Sequence, residues 1–375
     1  MDAAGLKKSW ESVARYGDQV PLFFYSTLFL THPYTRGMFP VSMASQRDKL
    51  VAALGRVISN VDNLEAVVPT LQQLGRDHRK FAVVRDHYPA VGSALLSTLE
   101  HFSGPDWTDE LARDWEAAFG IVAKVMIDAA DAAAETPAWW EAAVIAHERR
   151  TVDVAVLRIR PSGRLPYRAG QSISVETPLR PRLWRYFSPA TLPDGDGSFE
   201  LHVRLIDGGP VSTALVHATQ VGDVLRLGPP VGRRLTLEDD TGRDLVLLAG
   251  GTGLAPMKAL LQEVHADGGN RRVHLFCGAR FHRELYDMPA LHGMTDAPDW
   301  VRLVPCVSDE VAMGGLVETG TAVEVAMRHG PWPDHEIYVC GSPTMVRGTL
   351  RALEGAGVPT GRVHVDELGS EETGL

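Results

Sequence analysis

The sequence predicts a chain in three parts: an all-α segment, a small antiparallel β-barrel, and a parallel α/β sheet. Three observations predict it. Helical periodicity dominates to about residue 140, and β-branched runs are scarce there. From about Ala143, short alternating runs are separated by Gly and Pro. From about Arg243, strand-like runs alternate with helix-like ones. The expected boundaries are 1–138, 139–240 and 241–375, and 375 residues suit two or three domains of roughly 100–200 residues each.

In the first part, Val20–Leu30, Gln46–Asn60, Leu64–His78, Asp86–Phe102 and Asp109–Ala134 read as helices. Pro33 and Pro40 punctuate one long connection. Thr108 is placed to cap the last helix, and Pro137 to stop it. In the second part, "TVDVAVLRIRP", "GQSISVETP", "SFELHVRLI" and "DVLRLGPP" have the length and punctuation of barrel strands. In the third, the strand "RDLVLLAGG" leads to the helix "LAPMKALLQEVHA". The strands "RRVHLFCG" and "VRLVPCVS" follow, then "TAVEVAMRHG". Finally "HEIYVCGS" leads to "PTMVRGTLRALEGAG". Such a sheet places its ligand at the carboxyl ends of its strands.

Composition excludes some classes. A net charge of −10 argues against a nucleic-acid or membrane-surface partner, since both require a basic face. No apolar run approaches the ~20 residues needed to span a bilayer. The N-terminus lacks the basic-then-apolar layout of a signal peptide. The three cysteines, Cys277, Cys306 and Cys340, are far apart and each lies by a predicted strand, so they read as free thiols in a reducing compartment. The expected location is the cytoplasm.

Within the helical part, steps of three and four from Leu64 through Val67, Val68, Leu71, Leu74 and Gly75 lead to His78, so the imidazole falls on the apolar stripe. A buried imidazole needs a partner, either a backbone carbonyl or a metal. Tyr25 shares a face with Leu22, Leu28 and Phe29 in "PLFFYSTLF", and a buried phenol usually finds a hydrogen bond. Gln46 lies one turn before Leu50, on the same side of its helix. Phe39 lies between prolines. Taken with "H-x-x-F-x-V" and the "HY-x-x-V-G" after it, this layout resembles the haem domain of flavohaemoglobins. The resemblance implies His78 as the proximal haem-iron ligand and Tyr25 as the distal donor to bound dioxygen. It also implies Phe39 packing on the porphyrin, Gln46 and Leu50 lining the distal side, and Tyr88 on the proximal side. Haem needs one axial imidazole, an apolar slot and an open sixth position, which this set would supply.

The other two parts extend the resemblance. "LWRYFSPATLPDG" is similar to the flavin signature of ferredoxin-reductase-like barrels, with Arg185, Tyr186, Phe187 and Ser188 as its members. An arginine fork suits a pyrophosphate. "DGGPVSTAL" turns through Gly208 and Gly209 into a short helix carrying Val211 and Ser212, where the family receives the flavin phosphates. "LVLLAGGTGLAPMKALL" runs a strand into Gly250, Gly251, Thr252 and Gly253 and opens a helix at Leu254, Ala255 and Pro256. Glycines let a backbone approach a diphosphate. The loop resembles the family's nicotinamide-dinucleotide loop, and "YVCGSPTMV" its second signature, with Cys340 and Gly341 near the nicotinamide. Asp366 aligns with an acidic residue near the flavin. Arg280 and Arg283 follow the next strand, within reach of a 2′-phosphate.

The resemblance covers nearly the whole chain and implies haem b, FAD and NAD(P)H as cofactors. It implies a monomeric nitric oxide dioxygenase whose partners are the small molecules O2, NO and NAD(P)H. Two rivals are a flavin–haem oxidoreductase with another substrate or donor, and a gas-binding or gas-sensing globin kept ferrous by its reductase. The chain departs from the family at several positions. Asp77 replaces the usual lysine before the ligand, Phe187 a tyrosine, Ser172 an aromatic contact and Leu368 a phenylalanine. Ala132 falls where the family has a glutamate that accepts the proton of the ligand histidine; Asp131 and Glu135 flank it as substitutes.

Overall fold

The computed structural model describes residues 1–238, 241–268, 270–295, 300–311 and 315–366. The chain forms two compact units, the first Met1–Trp139 and the second beginning at Trp140.

The first unit is all-helical: α1 Ala3–Ala14, α2 Gln19–Thr31, α3 Ala44–Ser59, α4 Val68–His78, α5 Tyr88–Ser103 and α6 Asp109–Ala132. Asp2 caps α1 by accepting from the Ala4 amide at 3.0 Å, and Thr108 caps α6 by accepting from Leu111 at 3.2 Å. The expected helix Leu64–His78 is divided. Leu64–Ala66 is a single 3-10 turn and α4 begins at Val68. Pro69 explains the start, because a residue without an N–H fits the first turn, whose amides have no intrahelical partner. The helix α1 was not among the expected elements, although Leu6, Trp10 and Val13 all point into the core. That core joins Leu6, Trp10, Phe24, Tyr25, Leu28, Leu99 and Trp115.

α4 lies against α6 so closely that a Cβ on Gly75 would stand 2.2 Å from the Met126 carbonyl oxygen. Only glycine permits that approach. Leu71, Val67 and Met126 form a small apolar cluster there, with Leu74 and Tyr88 packed against it.

The second unit begins with a six-stranded antiparallel sheet ordered β4-β3-β6-β1-β2-β5. Its strands are β1 Trp140–Arg149, β2 Val154–Pro161, β3 Ser172–Glu176, β4 Arg185–Phe187, β5 Phe199–Arg204 and β6 Val224–Val231, with α7 Pro210–His217 between the last two. The short β4 coincides with the flavin-like motif. β5 keeps strict alternation. Phe199, Leu201 and Val203 enter the core of this sheet, while Glu200, His202 and Arg204 face the other way.

A parallel sheet follows, ordered β10-β9-β8-β7-β11-β12. Its elements are β7 Leu245–Gly250, α8 Leu254–Ala266, β8 Val273–Ala279, α9 Met288–Thr295, β9 Val301–Val307, β10 Glu318–Thr319, α10 Ala322–His329, β11 Glu336–Cys340, α11 Pro343–Gly355 and β12 Val363–Val365. β7 is central and fully apolar up to Gly250, as expected of a strand covered on both faces. Val154 and Val156 of β2 share one apolar cluster with Leu247, Leu260 and Leu275, so the two sheets of this unit have a common core. Cys277 and Cys306 are buried and Cys340 half-buried, all as free thiols. Among the described residues no helix is long and apolar enough to cross a membrane.

Candidate functional site

His78 is the last residue of α4. Its Nδ1 donates to the Leu74 carbonyl one turn back, at 2.7 Å. That bond fixes the tautomer and leaves Nε2 as the atom free to ligate, the arrangement an axial histidine needs. Burial pushes its pKa down, which keeps the ring neutral. Neither Asp131 nor Glu135 replaces the carbonyl. Asp131 pairs with Arg85 at 2.8 Å on the surface, and Glu135 is exposed. Asp77 pairs with Lys80 at 3.6 Å, and Lys80 is itself buried. Tyr88 is half-buried against the cluster of Val67, Leu71 and Met126, and burial, followed by the Asp131 charge, raises its pKa to about 12. His87 instead accepts from the Val84 amide at 3.0 Å.

Tyr25 is buried in an aromatic group, its ring centroid 5.4 Å from Phe39 and 5.8 Å from Phe29. Its hydroxyl donates to the Gln46 backbone carbonyl at 3.4 Å, a long and weak bond, and the Gln46 side chain also acts on it. Burial pushes the phenol up to about 12, so it remains a donor. Leu50, Val51 and Leu54 pack against the same core yet stay half-exposed, as does Val57 beside the cluster of Val67, Leu71 and Met126. The face of α3 thus offers apolar surface that the helices do not cover. A neutral imidazole with free Nε2 on α4 and an apolar face with a buried phenol fit a haem.

In the second unit, Arg185 donates to the Trp184 carbonyl at 2.8 Å and Ser188 Oγ lies 3.0 Å from Ser172 Oγ. Ser172 therefore supplies a hydroxyl partner for the motif serine. Phe187 packs on the barrel core, and Tyr186 pairs across to Ser174. Gly208 takes a φ of +69° and opens the turn into α7. Ser212 is used internally, accepting from the Ile206 amide at 3.0 Å and donating to the Gly209 carbonyl at 3.1 Å, and Val211 is core. An arginine fork on β4, and a glycine turn leading into a helix start at α7, are groups of the kinds that a flavin diphosphate takes. Asp366 lies just beyond β12, close enough to Cys340 for its charge to help raise that thiol, after burial. Leu368 lies outside the described residues.

The dinucleotide-like loop is a tight strand-to-helix turn. Gly251 has a φ of +54°, and a Cβ on Gly253 would stand 2.2 Å from the Cys340 carbonyl oxygen. The glycines thus bring the two signature loops, after β7 and β11, into contact. Thr252 is partly exposed, while Leu254, Ala255 and Pro256 are buried, so these three contribute a helix start rather than side-chain contacts. Gly341 abuts Met345. Two small clefts meet at Gly251, Glu284 and Tyr286. The exposed carbon of a glycine turn at a helix start, flanked by clefts, fits a dinucleotide.

Sequence reasoning missed Arg204. From β5 its guanidinium reaches Gly251, with Nη1 3.0 Å from where a Cβ would be, held by Asp153 at 2.9 Å and Glu284 at 3.9 Å. The alternation in "FELHVR" placed it outward but gave no sign of what it faced. Arg280 is paired with Glu284 at 3.1 Å, and Arg283 stacks over Phe281 at 4.5 Å.

Comparison with known proteins agrees with this order. Residues 22–126 match the globin family, residues 141–235 the oxidoreductase FAD-binding domain, and residues 247–351 the oxidoreductase NAD-binding domain. A flavohemoprotein of Bordetella parapertussis is 28% identical over 95% of this chain and 94% of its own. One from Bacillus subtilis is 23% identical over 98% and 96%. The fold matches the crystal structure of a Malassezia yamatoensis flavohemoglobin with bound FAD and heme, at a TM-score of 0.76, 18% identity and 97% coverage of both chains. The second unit also matches the FAD/NAD-binding domain of a nitric oxide dioxygenase from Vibrio cholerae, at a TM-score of 0.53 and 21% identity, over 60% of this chain and 97% of that one. With its globin, FAD-binding and NAD-binding parts in one polypeptide, the chain belongs to the flavohaemoproteins and is an NAD(P)H-dependent oxidoreductase that uses haem and FAD.

Proposed function

We propose that the chain is a nitric oxide dioxygenase, combining NO, O2 and a single electron into nitrate. The observation that carries this is Tyr25, a neutral phenol buried among Phe29 and Phe39 on an apolar face of a globin that has its own electron supply. When bound, haem b supplies the iron for the gas, FAD divides an electron pair, and NAD(P)H supplies that pair as hydride.

The chain's residues do the binding and positioning. His78 offers Nε2 to the iron, with Nδ1 tied to Leu74. Tyr25 would offer its O–H as a donor on the distal side, with Gln46 and Leu50 beside it and Phe39 against the porphyrin. Tyr88 packs on the proximal side. Arg185, Tyr186, Phe187, Ser188, Gly208, Gly209, Val211, Ser212 and Asp366 form the flavin site. The loop Gly250–Pro256, with Cys340, Gly341 and Arg204, receives the dinucleotide. We place the domain boundaries at 138/139 and 240/241. Rapid mixing of the oxygenated ferrous protein with NO tests the reading. Prompt formation of nitrate is the expected result, and slow release of unreacted NO would refute it.

One observation favours a second reading, a gas-binding globin kept ferrous by its reductase. His78 bonds a carbonyl rather than a carboxylate, which pushes less electron density to the iron. On this reading the iron–histidine stretch in resonance Raman is low and does not move in Asp131→Asn or Glu135→Gln, and nitrate forms slowly.

A further inference from the structure

One buried cation in the second unit has no part in the sites described. Lys258 lies on α8, five residues beyond the last glycine of the dinucleotide loop, and its side chain is only 5% exposed. Its Nζ donates to Glu200 at 2.9 Å and to Asp287 at 2.9 Å. Glu200 belongs to β5, the flavin-domain strand whose core-facing residues are Phe199, Leu201 and Val203. Asp287 lies just before α9, with its side chain 1% exposed. His202, next along the same face of β5, is fully buried and sits 3.7 Å from Glu200 and 3.9 Å from Asp287. Its Nδ1 is 2.8 Å from the Tyr286 hydroxyl.

A single ammonium thus joins three segments: a strand of the flavin domain, the helix that opens at the dinucleotide loop, and the segment after β8 that lines both clefts. Apolar burial alone is non-directional. Two charge-assisted bonds at 2.9 Å to carboxylates on different segments fix direction as well as distance. Tyr286, bonded to His202, forms a wall of the clefts at Gly251. Asp287, which Lys258 holds, lines one of these clefts together with Gly251 and Leu254, so the anchor borders the loop that must present the nicotinamide.

We propose that Lys258 is a positioning residue for hydride transfer: by anchoring the glycine-loop helix to Glu200 of the flavin domain and to Asp287, it sets how closely the nicotinamide meets the flavin. The inference rests on the reading that NAD(P)H reduces the flavin of this chain. Hydride transfer demands a close and aligned approach, and a 1 Å displacement can cost ~100-fold in rate.

The test is anaerobic stopped-flow reduction of the flavin by NADH and NADPH in the full-length holoprotein, as wild type, Lys258→Met, Lys258→Arg and Asp287→Asn. Flavin content, unfolding midpoint and amide hydrogen exchange are measured beside it. Lys258→Met should lower the limiting reduction rate by about ten-fold or more with little change in the half-saturating dinucleotide concentration. It should also weaken the nicotinamide–flavin charge-transfer band and speed amide exchange in β5 and α8. Lys258→Arg, which keeps the charge, should restore most of the rate. If Lys258→Met does not fold, Asp287→Asn is read in the same way, with a smaller loss. Wild-type limiting rates in the variants, with only a lower unfolding midpoint or flavin content, would overturn the proposal and leave Lys258 a stabilising ion pair. Failure of both dinucleotides to reduce the wild-type flavin would instead refute the reading beneath it.

Discussion

At the scale of single residues, the globin unit turns on which atoms are engaged and which are left available. His78 Nδ1 is held by Leu74, so Nε2 is the nitrogen left to ligate. His78→Ala should abolish the Soret band while flavin absorbance remains, and full haem content in that variant would exclude the assignment. The bond from Tyr25 to the Gln46 carbonyl is long, at 3.4 Å, so little is lost in giving it up when the hydroxyl turns to a ligand. A donor bond to a charged partner contributes ~1.5–3 kcal/mol, so Tyr25→Phe should speed dioxygen release about ten-fold or more. An unchanged off-rate by flash photolysis would place the phenol elsewhere. Both residues were legible in the sequence because each interrupts an apolar stripe. The carbonyl partner of His78 was only half legible. The sequence showed Ala132 where the resemblance calls for a glutamate, but not that Asp131 is drawn away by Arg85.

At the scale of elements, close approach decides what the helices and loops can do. Gly75→Ala would push a methyl group into the Met126 backbone, 2.2 Å away with nothing flexible to give. Overpacking of this kind costs ~1–3 kcal/mol, and α4 carries His78, so the variant should unfold at lower denaturant and retain less haem. A wild-type midpoint would mean that α4 and α6 can part freely. Most elements were legible because their apolar periods are long and clean. The helix α1 had its signal in Leu6, Trp10 and Val13, yet its short, charged sequence read as a terminus. Strands as short as β4 and β10 have too few residues to show a period.

At the scale of the whole chain, the change from helical to alternating to βα texture revealed the order of the parts, while the charged anchor inside the second unit left no local trace. Its bonds join residues 58, 29 and 84 apart in sequence, and no motif spans such gaps. It also makes an acid prediction. His202 and Lys258 outweigh burial and hold the Glu200 carboxyl at about 2, while burial pushes the His202 imidazole down. Both groups take up protons more readily unfolded than folded, so stability falls with falling pH. The loss should begin below the ordinary histidine value of 6.5, and Glu200 should add to it from about 4.5 down to about 2. Chemical denaturation followed by flavin fluorescence from pH 7 to about pH 4 should show the first phase, and His202→Gln should remove it. A flat profile would mean that the imidazole is solvated.

The two faces of β5 have a consequence for how this chain can vary. Phe199, Leu201 and Val203 fill the flavin-domain core, while Glu200, His202 and Arg204 meet Lys258, Tyr286 and Gly251. Because side chains alternate with a period of two, losing or gaining one residue inside this strand would exchange the faces. Carboxylate, imidazole and guanidinium would enter the barrel core, and three apolar groups would face Lys258. The adjoining turn at Asp194–Gly197, being exposed, has no such parity to keep. Length changes among related chains should therefore collect in that turn and spare the six residues of β5.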